Sequence, residues 1–359
     1  MEAVEHKRNQ DEQRGARDGH AGEPRVDVKQ EVARQLIEAM EQGNTPWQRP
    51  WKTQSLMPIN GVTKNGYRGV NRILLALQNR SSNIWLTFRQ ANEAGYSVRK
   101  GEKGTPIVKV VEFEREGREG EGAAGAEPSA VGGQAGEKDS RKAFALRRYF
   151  VFNAEQIEGF PIPVEMPGLL AHESVEKAAG VVEAMKEQTG LIVIRGGNQA
   201  CYVPSLHEVR LPPSKSFFTQ YDEWVTALHE CAHASMNERC LNRTEAISKK
   251  WGDEAYALEE LRAEIASCLL AHETGLARGQ GASDGRKEDP YAHHREQHAA
   301  YLRSWVKVIK NDPMAIFSAA KDADRISEYM MGLAMKREAM APHREWIEEY
   351  DMAQVAGRV

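Results

Sequence analysis

Long hydrophobic runs are missing from this chain of 359 residues, and no apolar segment approaches the roughly 18 residues that a membrane-spanning helix needs. The first twenty residues are polar throughout and lack the apolar centre of a secretory signal. Cysteine is scarce, and the four cysteines form no CxxC pair and are too few for a disulfide framework. These absences predict a cytoplasmic protein with reduced thiols and no membrane partner.

A strong overall charge is also missing, because the net charge at neutral pH is only −4. Such a balance would by itself argue against a nucleic-acid partner. The charge is unevenly distributed, however: residues 45–111 contain eleven lysines and arginines but only two acidic residues, so this window carries +9 and the rest of the chain −13. Asymmetry of this kind indicates an anionic partner for the basic window.

The basic window also contains six aromatic residues, which are Trp47, Trp51, Tyr67, Trp85, Phe88 and Tyr96. Cations that follow the phosphates and rings that stack on bases together bind single-stranded nucleic acid. The competing interpretation places Trp85, Phe88 and Tyr96 in the hydrophobic core. The chain has no zinc-finger spacing and no recognition-helix signature, so no motif indicates that it reads a specific base sequence.

We therefore predict single-stranded DNA as the partner of this window. The predicted DNA-binding residues are Trp47, Arg49, Trp51, Lys52, Tyr67, Arg68, Asn71, Arg72, Trp85, Arg89, Arg99, Lys100 and Lys103.

The order of sequence patterns predicts an α+β protein with two domains. Residues 28–40 have the apolar spacing of an amphipathic helix, and a Gly-rich segment at 114–142 lies between two alternating, strand-like segments. We interpret that segment as a hairpin insertion within one domain. Further along, a helix is predicted at 175–189 and strands at 191–195 and 202–212, followed almost entirely by helices. The predicted division is a disordered tail at 1–25, a mixed α/β DNA-binding domain at 26–160, a Pro-rich linker at 161–168 and a mostly helical domain with a small sheet at 169–359.

A metal-binding pattern occurs where the chain reads His229-Glu230-Cys231-Ala232-His233. Residues i and i+4 share one face of a helix, so the two imidazoles can bind one metal ion. Thr219 is the predicted N-cap of this helix, with Asp222 three residues later. Glu230 is the predicted catalytic base beside a Zn²⁺ ion, or another divalent ion. The alternative is two ordinary histidines on a helix.

A catalytic zinc needs a third protein ligand, and the best donors lie on the helical segment 258–271. Glu260 and Glu264 share a face of that segment, in a pattern that resembles the acidic helix of gluzincin peptidases. By that resemblance Glu260 is the third ligand and Glu264 orients a ligand histidine. The choice between them stays open here, as does the possibility that both are surface acids. Tyr301 and His298 are candidates for stabilising the oxyanion.

Taken together, the motifs resemble the ArdC-type antirestriction proteins of conjugative plasmids, over about residues 28–335 without the Gly-rich insertion. In the first half the matching segments are PWQRPW, NGYRGVN, WLTFRQANEAGYSVRKGEKGTPIV and RRYFVFNAEQIEG. In the second half they are YVPSLHEVRLPP, HECAH, EELRAEIAS and YLRSWVKVIKNDP. The segment ASMNERCLNR after the histidines departs from the Gly-rich form usual there.

The resemblance implies a single-stranded-DNA-binding domain, shared with TraC-type plasmid primases, followed by a zincin-like metallopeptidase domain. It also implies a protein that protects incoming plasmid DNA during conjugation, with a restriction component as a possible protein substrate. Two alternatives remain at this point. One is a non-enzymatic DNA-binding protein whose metal is structural or vestigial, and the other is a peptidase whose basic window binds an acidic protein surface.

Overall fold

The structure is a computed structural model that describes residues 27–42, 57–115, 141–162, 171–243, 254–276 and 292–356. The predicted tail at 1–25, most of the Gly-rich insertion and most of the predicted linker lie outside these residues. Among the described helices, none is both long and apolar enough to cross a membrane.

Helices and short strands alternate in the first half, and helices dominate the second. The helices are α1 (Val28–Glu41), α2 (Val70–Ala76), α3 (Phe88–Glu93), α4 (Ala171–Thr189), α5 (Gln220–Ala234), α6 (Glu254–Glu273), α7 (Ala292–Asn311) and α8 (Ala315–Ala356). The strands are β1 (Ile59–Asn60), β2 (Ile84–Leu86), β3 (Ser97–Val98), β4 (Thr105–Arg115), β5 (Arg141–Asn153), β6 (Ile157–Glu158), β7 (Ile192–Arg195), β8 (Cys201–Val203) and β9 (Glu208–Leu211). The predicted α+β class is confirmed.

The first half is built on a four-stranded sheet with the order β1-β2-β5-β4. Strands β4 and β5 pair antiparallel from Thr105 opposite Val151 to Arg115 opposite Arg141. The strand-like segments on both sides of the Gly-rich insertion are therefore neighbours in one sheet. A second, two-stranded sheet joins β3 to β6.

The second half contains a three-stranded sheet with the order β7-β9-β8, packed against a layer of helices. The predicted single strand at 202–212 is wrong in one respect, since it is two strands separated by a turn. Pro204 opens a 3₁₀ turn, and His207 ends it in the left-handed region with φ of 48°. This turn reverses the chain, so β8 pairs antiparallel to β9 along the edge that faces α5.

One hydrophobic core runs through both halves. Leu36 of α1 and Ile73 of α2 belong to the same buried cluster as Leu228 of α5 and Ile316 of α8. Helix α1 packs against α7, and α2 packs against α8. The Pro-rich segment predicted as a linker therefore separates two sequence regions whose buried side chains pack together.

Candidate metal centre

Helix α5 carries the histidine pair and is fixed at its start and along one face. The Thr219 hydroxyl accepts a hydrogen bond of 3.1 Å from the Asp222 backbone N–H, so the predicted N-cap is confirmed. Ala227 and Leu228 are buried in the core. Because those residues anchor one face of α5, the histidines of the adjacent face are held opposite α6.

The structure brings together His229, His233 and Glu260. The two Nε2 atoms are 3.1 Å apart, and the Glu260 carboxylate oxygens lie 3.5 Å from the first and 3.6 Å from the second. One ligand atom from each residue lies within 4.8 Å of the other two. Two imidazole nitrogens and one carboxylate are a donor set found in catalytic zinc sites, so these residues fit a divalent ion.

The Nδ1 atom of each imidazole faces a second carboxylate. Glu264 lies 3.5 Å from Nδ1 of His229, and Glu259 lies 3.5 Å from Nδ1 of His233. A carboxylate on the Nδ1 side favours the tautomer that leaves Nε2 free to bind a metal ion. The geometry thus gives Glu260 and Glu264 different positions, with Glu260 between the Nε2 atoms and Glu264 behind one ring.

Glu259 was not anticipated from the sequence. Its buried carboxylate accepts two hydrogen bonds from Arg243, at 2.9 and 3.2 Å, and lies 3.5 Å from Arg262. Arg262 in turn forms an ion pair of 2.8 Å with Asp322 on α8. The sequence does show an acidic residue directly before Glu260. The partner of Glu259, Arg243, lies in the loop after α5, however, and sequence patterns do not predict where that loop packs.

The carboxyl groups around the histidines differ in their electrostatics. Burial raises the pKa of Glu230, and the two histidines only partly oppose that effect. Burial acts in the same direction on Glu260, but there the hydrogen bonds to both histidines outweigh it and hold the pKa well below the usual value. Of the two groups, Glu230 therefore has the weaker preference for the charged form, and it lies beside the main chain of Tyr202 on β8.

Two tyrosines flank Glu260. The hydroxyl groups of Tyr256 on α6 and Tyr301 on α7 are hydrogen-bonded to each other, and burial beside Glu260 raises the pKa of both. Tyr301 also stacks on Trp305 at 5.9 Å between ring centroids. Tyr301, one of the two candidates for stabilising the oxyanion, thus lies next to the cluster of His229, His233 and Glu260. The side chain of the other candidate, His298, lies outside the described residues.

Three of the predicted DNA-binding residues are occupied by contacts within the protein. Trp85 is only 2% exposed, so the core interpretation is correct for its ring. Asn71 exchanges two hydrogen bonds of 2.7 Å with the backbone of Val108. Arg72 forms a buried ion pair of 2.7 Å with Asp324. We therefore withdraw Trp85 as a stacking residue, whereas Asn71 and Arg72 stay predictions whose side chains also bind other parts of the protein.

The other predicted DNA-binding residues that the structure describes lie at or near the surface. Arg68 pairs with Glu328 of α8 at 2.7 Å, and Arg89 pairs with Glu93 at 2.6 Å. Half-buried Tyr67 accepts a hydrogen bond of 3.2 Å from Asn60.

Arg99 is tied to Glu102 at 3.2 Å, within the turn that precedes β4. Lys100 and Lys103 are exposed and have no ion-pair partner among the described residues. The remaining four, Trp47, Arg49, Trp51 and Lys52, lie outside the described residues.

Exposed aromatic residues occur where the sequence reasoning did not assign them to DNA. Phe88, interpreted as a possible core residue, is 55% exposed, and Phe150 and Tyr149 of β5 are exposed as well. Tyr96 packs edge-on against Phe160 at 5.0 Å. The alternation in the β5 segment was visible as a strand signal, but it does not tell which face remains open.

Comparison with sequence families gives one match in each half. Residues 26–152 match the family described as the N-terminal domain of anti-restriction factor ArdC. Residues 180–322 match the family described as zincin-like metallopeptidase. The two matches include every residue of the metal cluster and all predicted DNA contacts.

Two curated relatives share sequence with both halves. A protein from Escherichia coli named DNA primase TraC is 34% identical over 320 residues, which are 88% of this chain but 20% of that protein. The chain thus spans about a fifth of the length of that relative. The uncharacterized protein y4eC of Sinorhizobium fredii is 31% identical over 316 residues, covering 85% of this chain and 92% of that protein.

Solved structures of the antirestriction ArdC protein from the R388 plasmid have a similar fold. The metal-free structure superposes with a TM-score of 0.64 at 28% identity, covering 86% of this chain and 98% of that chain. The Mn(II)-bound structure gives a TM-score of 0.61 at 29% identity with the same coverage. The fold is therefore shared over both halves.

Proposed function

The chain belongs to the ArdC antirestriction family, in which an ArdC-type N-terminal domain is joined to a zincin-like metallopeptidase domain, and from this premise we propose a two-part activity. The N-terminal half binds single-stranded DNA, and the second half hydrolyses peptide bonds with a divalent metal ion. Together they protect incoming plasmid DNA from restriction during conjugation. The observation that carries the peptidase part is the convergence of His229, His233 and Glu260 beside Glu230.

The metal would be held by the Nε2 atoms of the two histidines and the carboxylate of Glu260. Zn²⁺ is the ion that we propose, and the Mn(II)-bound relative supports a divalent ion at this fold. When bound, the ion supplies a Lewis acid that polarises a peptide carbonyl and acidifies water. Glu264 and Glu259 act behind the rings, where each keeps one imidazole oriented.

Glu230 is the proposed general base. Its carboxylate accepts the proton that the attacking water loses and donates it to the leaving amine. Tyr301, on the Glu260 side of the cluster, is the proposed hydrogen-bond donor to the developing oxyanion. A component of the restriction machinery is the proposed protein substrate.

The DNA-binding part is supported by the +9 charge of residues 45–111 and by the exposed cations Lys100 and Lys103, which have no ion-pair partner among the described residues. Lysines that release counterions from phosphates make binding strongly dependent on salt. Affinity for an oligonucleotide should therefore fall steeply as salt is added. Affinity that does not fall with added salt would count against the DNA-binding part.

The peptidase part is tested with Glu230→Gln, which keeps the shape of the side chain and removes the base. We expect cleavage of restriction components to fall by about 10²- to 10⁴-fold, as measured by mass spectrometry, while bound metal stays stoichiometric. The control is Glu238→Gln, an exposed acid shortly after α5. Transfer of unmodified plasmid into a restricting recipient is measured in parallel.

The pair of assays separates the two candidate functions. Loss of both cleavage and protection in the Glu230→Gln variant would support the metallopeptidase. Protection that survives without cleavage would make the protein a DNA-binding protector whose metal is structural. Cleavage that survives unchanged would contradict the assignment of Glu230.

A further inference from the structure

Three phenylalanine rings form a strip on the N-terminal sheet, in which Phe88 and Phe150 are exposed and Phe152 is partly buried. Phe150 and Phe152 alternate along β5 and so point to the same face. Phe88, at the start of α3, meets Phe152 edge-on with ring centroids 6.3 Å apart. Phe88 and Phe150 are 55% and 48% exposed. Contiguous exposed rings of this kind mark an interaction surface.

The strip continues at one end into a cation. Arg148 lies two residues before Phe150 on the same face of β5, and its guanidinium carbon is 5.2 Å from the centre of the Phe150 ring. We refer to Phe88, Phe152, Phe150 and Arg148 together as the aromatic strip.

The strip lies against a residue without a side chain. A Cβ atom at Gly104 would lie 3.0 Å from Cβ of Phe150 and 3.1 Å from Cζ of Phe152. A larger residue at 104 would therefore push at least one of these rings from its place. Glycine at this position allows both rings to lie close to the β4 backbone.

The charges around the aromatic strip fit an anionic partner. Lys103 directly precedes Gly104, and Lys100 lies in the same turn. Neither lysine has an ion-pair partner in the part of the chain that the structure describes, and Arg89 next to Phe88 is 87% exposed at its side chain. An apolar protein partner would leave Lys100 and Lys103 without a counter-charge, whereas a nucleic acid supplies both phosphates for the cations and bases for the rings.

Exposed rings favour a single strand over a duplex. In a duplex the base faces are covered by neighbouring base pairs, whereas a single strand can present each base to a ring. Phe88 meets Phe152 edge-on, with the ring planes at 61°, and still keeps 55% of its surface exposed, so it can receive such a base.

We propose that the rings of the aromatic strip are the base-stacking platform for single-stranded DNA, with Arg148 at the end of the strip and Lys103 and Lys100 beside it as phosphate contacts. This inference rests on the proposed DNA binding and names the surface that performs it. In this proposal the exposed rings of Phe88 and Phe150, and not the buried ring of Trp85, stack on the bases.

The test measures the affinity of variants on the two faces of β5 for two kinds of oligonucleotide. Phe150→Ala and Phe88→Ala are measured by fluorescence anisotropy against a thymidine oligonucleotide and against an abasic strand with the same number of phosphates. We expect each variant to lose about 5- to 150-fold in affinity for the thymidine strand and almost none for the abasic strand. Tyr149→Ala, on the opposite face of β5, is the matched control and should bind as the unaltered chain does.

The outcomes are distinguishable. If the unaltered chain binds the thymidine strand but both phenylalanine variants bind equally well, the platform is wrong and the proposed DNA binding stands. If Tyr149→Ala loses as much affinity as Phe150→Ala, the assignment to this face is wrong. If the unaltered chain binds neither strand, the proposed function itself fails. Thermal unfolding of each variant shows that the substituted chains remain folded, and Phe150→Trp should keep the affinity for thymidine.

Discussion

The metal cluster and the aromatic strip differ in how firmly their side chains are held. Each histidine of the cluster is positioned by its helix, by Glu260 on one ring nitrogen and by a further carboxylate on the other. In the strip, Phe88 and Phe150 are 55% and 48% exposed. An ion requires donors fixed to a few tenths of an ångström, whereas a surface that accepts any base sequence requires open faces.

The largest expected effect is on the metal itself. Glu260→Ala should abolish stoichiometric metal in the purified protein, because it removes a donor from between the two Nε2 atoms. Glu264→Ala should retain metal with an affinity lower by about 10- to 100-fold, since only an outer partner of His229 is lost. Elemental analysis and competition with a chelator measure both. Equal losses in the two variants would contradict the difference in position between Glu260 and Glu264.

A second prediction concerns the buried support of the cluster. Glu259→Gln leaves Arg243 and Arg262 without their shared carboxylate, and we expect the free energy of unfolding to fall by about 3 to 5 kcal/mol. Chemical denaturation of the metal-free protein measures the loss. The control is Glu238→Gln, which should leave stability unchanged because the side chain is exposed. A Glu259→Gln variant as stable as the unaltered chain would show that the arginines find other partners.

A smaller effect is expected at the edge of the aromatic strip. Gly104→Ala pushes against Phe150 and Phe152, so affinity for a thymidine oligonucleotide should fall by less than the roughly 5-fold lower limit for removing a ring. Gly66→Ala is the control, because a Cβ atom at 66 meets nothing within 4 Å. Unchanged binding by Gly104→Ala would mean that the rings can shift without losing their contact with bases.

The smallest expected effect is a pH dependence of stability away from the metal cluster. His207 lies between the hydroxyl groups of Tyr202, at 3.0 Å, and Thr189, at 3.3 Å. Burial lowers its pKa below the usual 6.5, and the charge of Arg239 adds to the shift. The unfolded chain then binds the proton more readily, so the free energy of unfolding should fall as the pH drops below about 6.5.

The variant His207→Asn tests that dependence, since asparagine tolerates the left-handed backbone at this position. Denaturation curves between about pH 7 and about pH 5 should show a flatter stability profile for the variant than for the unaltered chain. Parallel profiles would assign the pH dependence to other groups.

Local patterns predicted the parts of the molecule that depend on nearby residues. The N-cap at Thr219, the helix at 28–40 and the i, i+4 histidine pair need only the spacing within one element. Glu260 could be proposed because it lies on a helix with recognisable acidic spacing. The internal contacts of Asn71 and Arg72 could not be predicted for the opposite reason, since their partners Val108 and Asp324 are remote in the sequence.

The aromatic residues illustrate the same limit. Trp85 and Phe88 are three residues apart, yet one is buried and the other is open to solvent. Both are large aromatic residues of the same basic window, and only the packing of the sheet against its neighbours decides which ring remains exposed. Phe150 was visible in a strand pattern, but which side of that strand is covered depends on elements distant in the sequence, such as α1, that pack against β5.

The hydrophobic core that the two halves share limits how this sequence can be divided or fused during evolution. Leu36, Ile73 and Val108 of the first half would face water if the chain were divided near residue 163, because they are buried in one cluster with Ile309 and Ile316 of the second half. Neither half is therefore a transplantable unit. A gene fusion that adds this fold adds the aromatic strip and the metal cluster together, and the match to a much longer protein named DNA primase TraC runs through both halves.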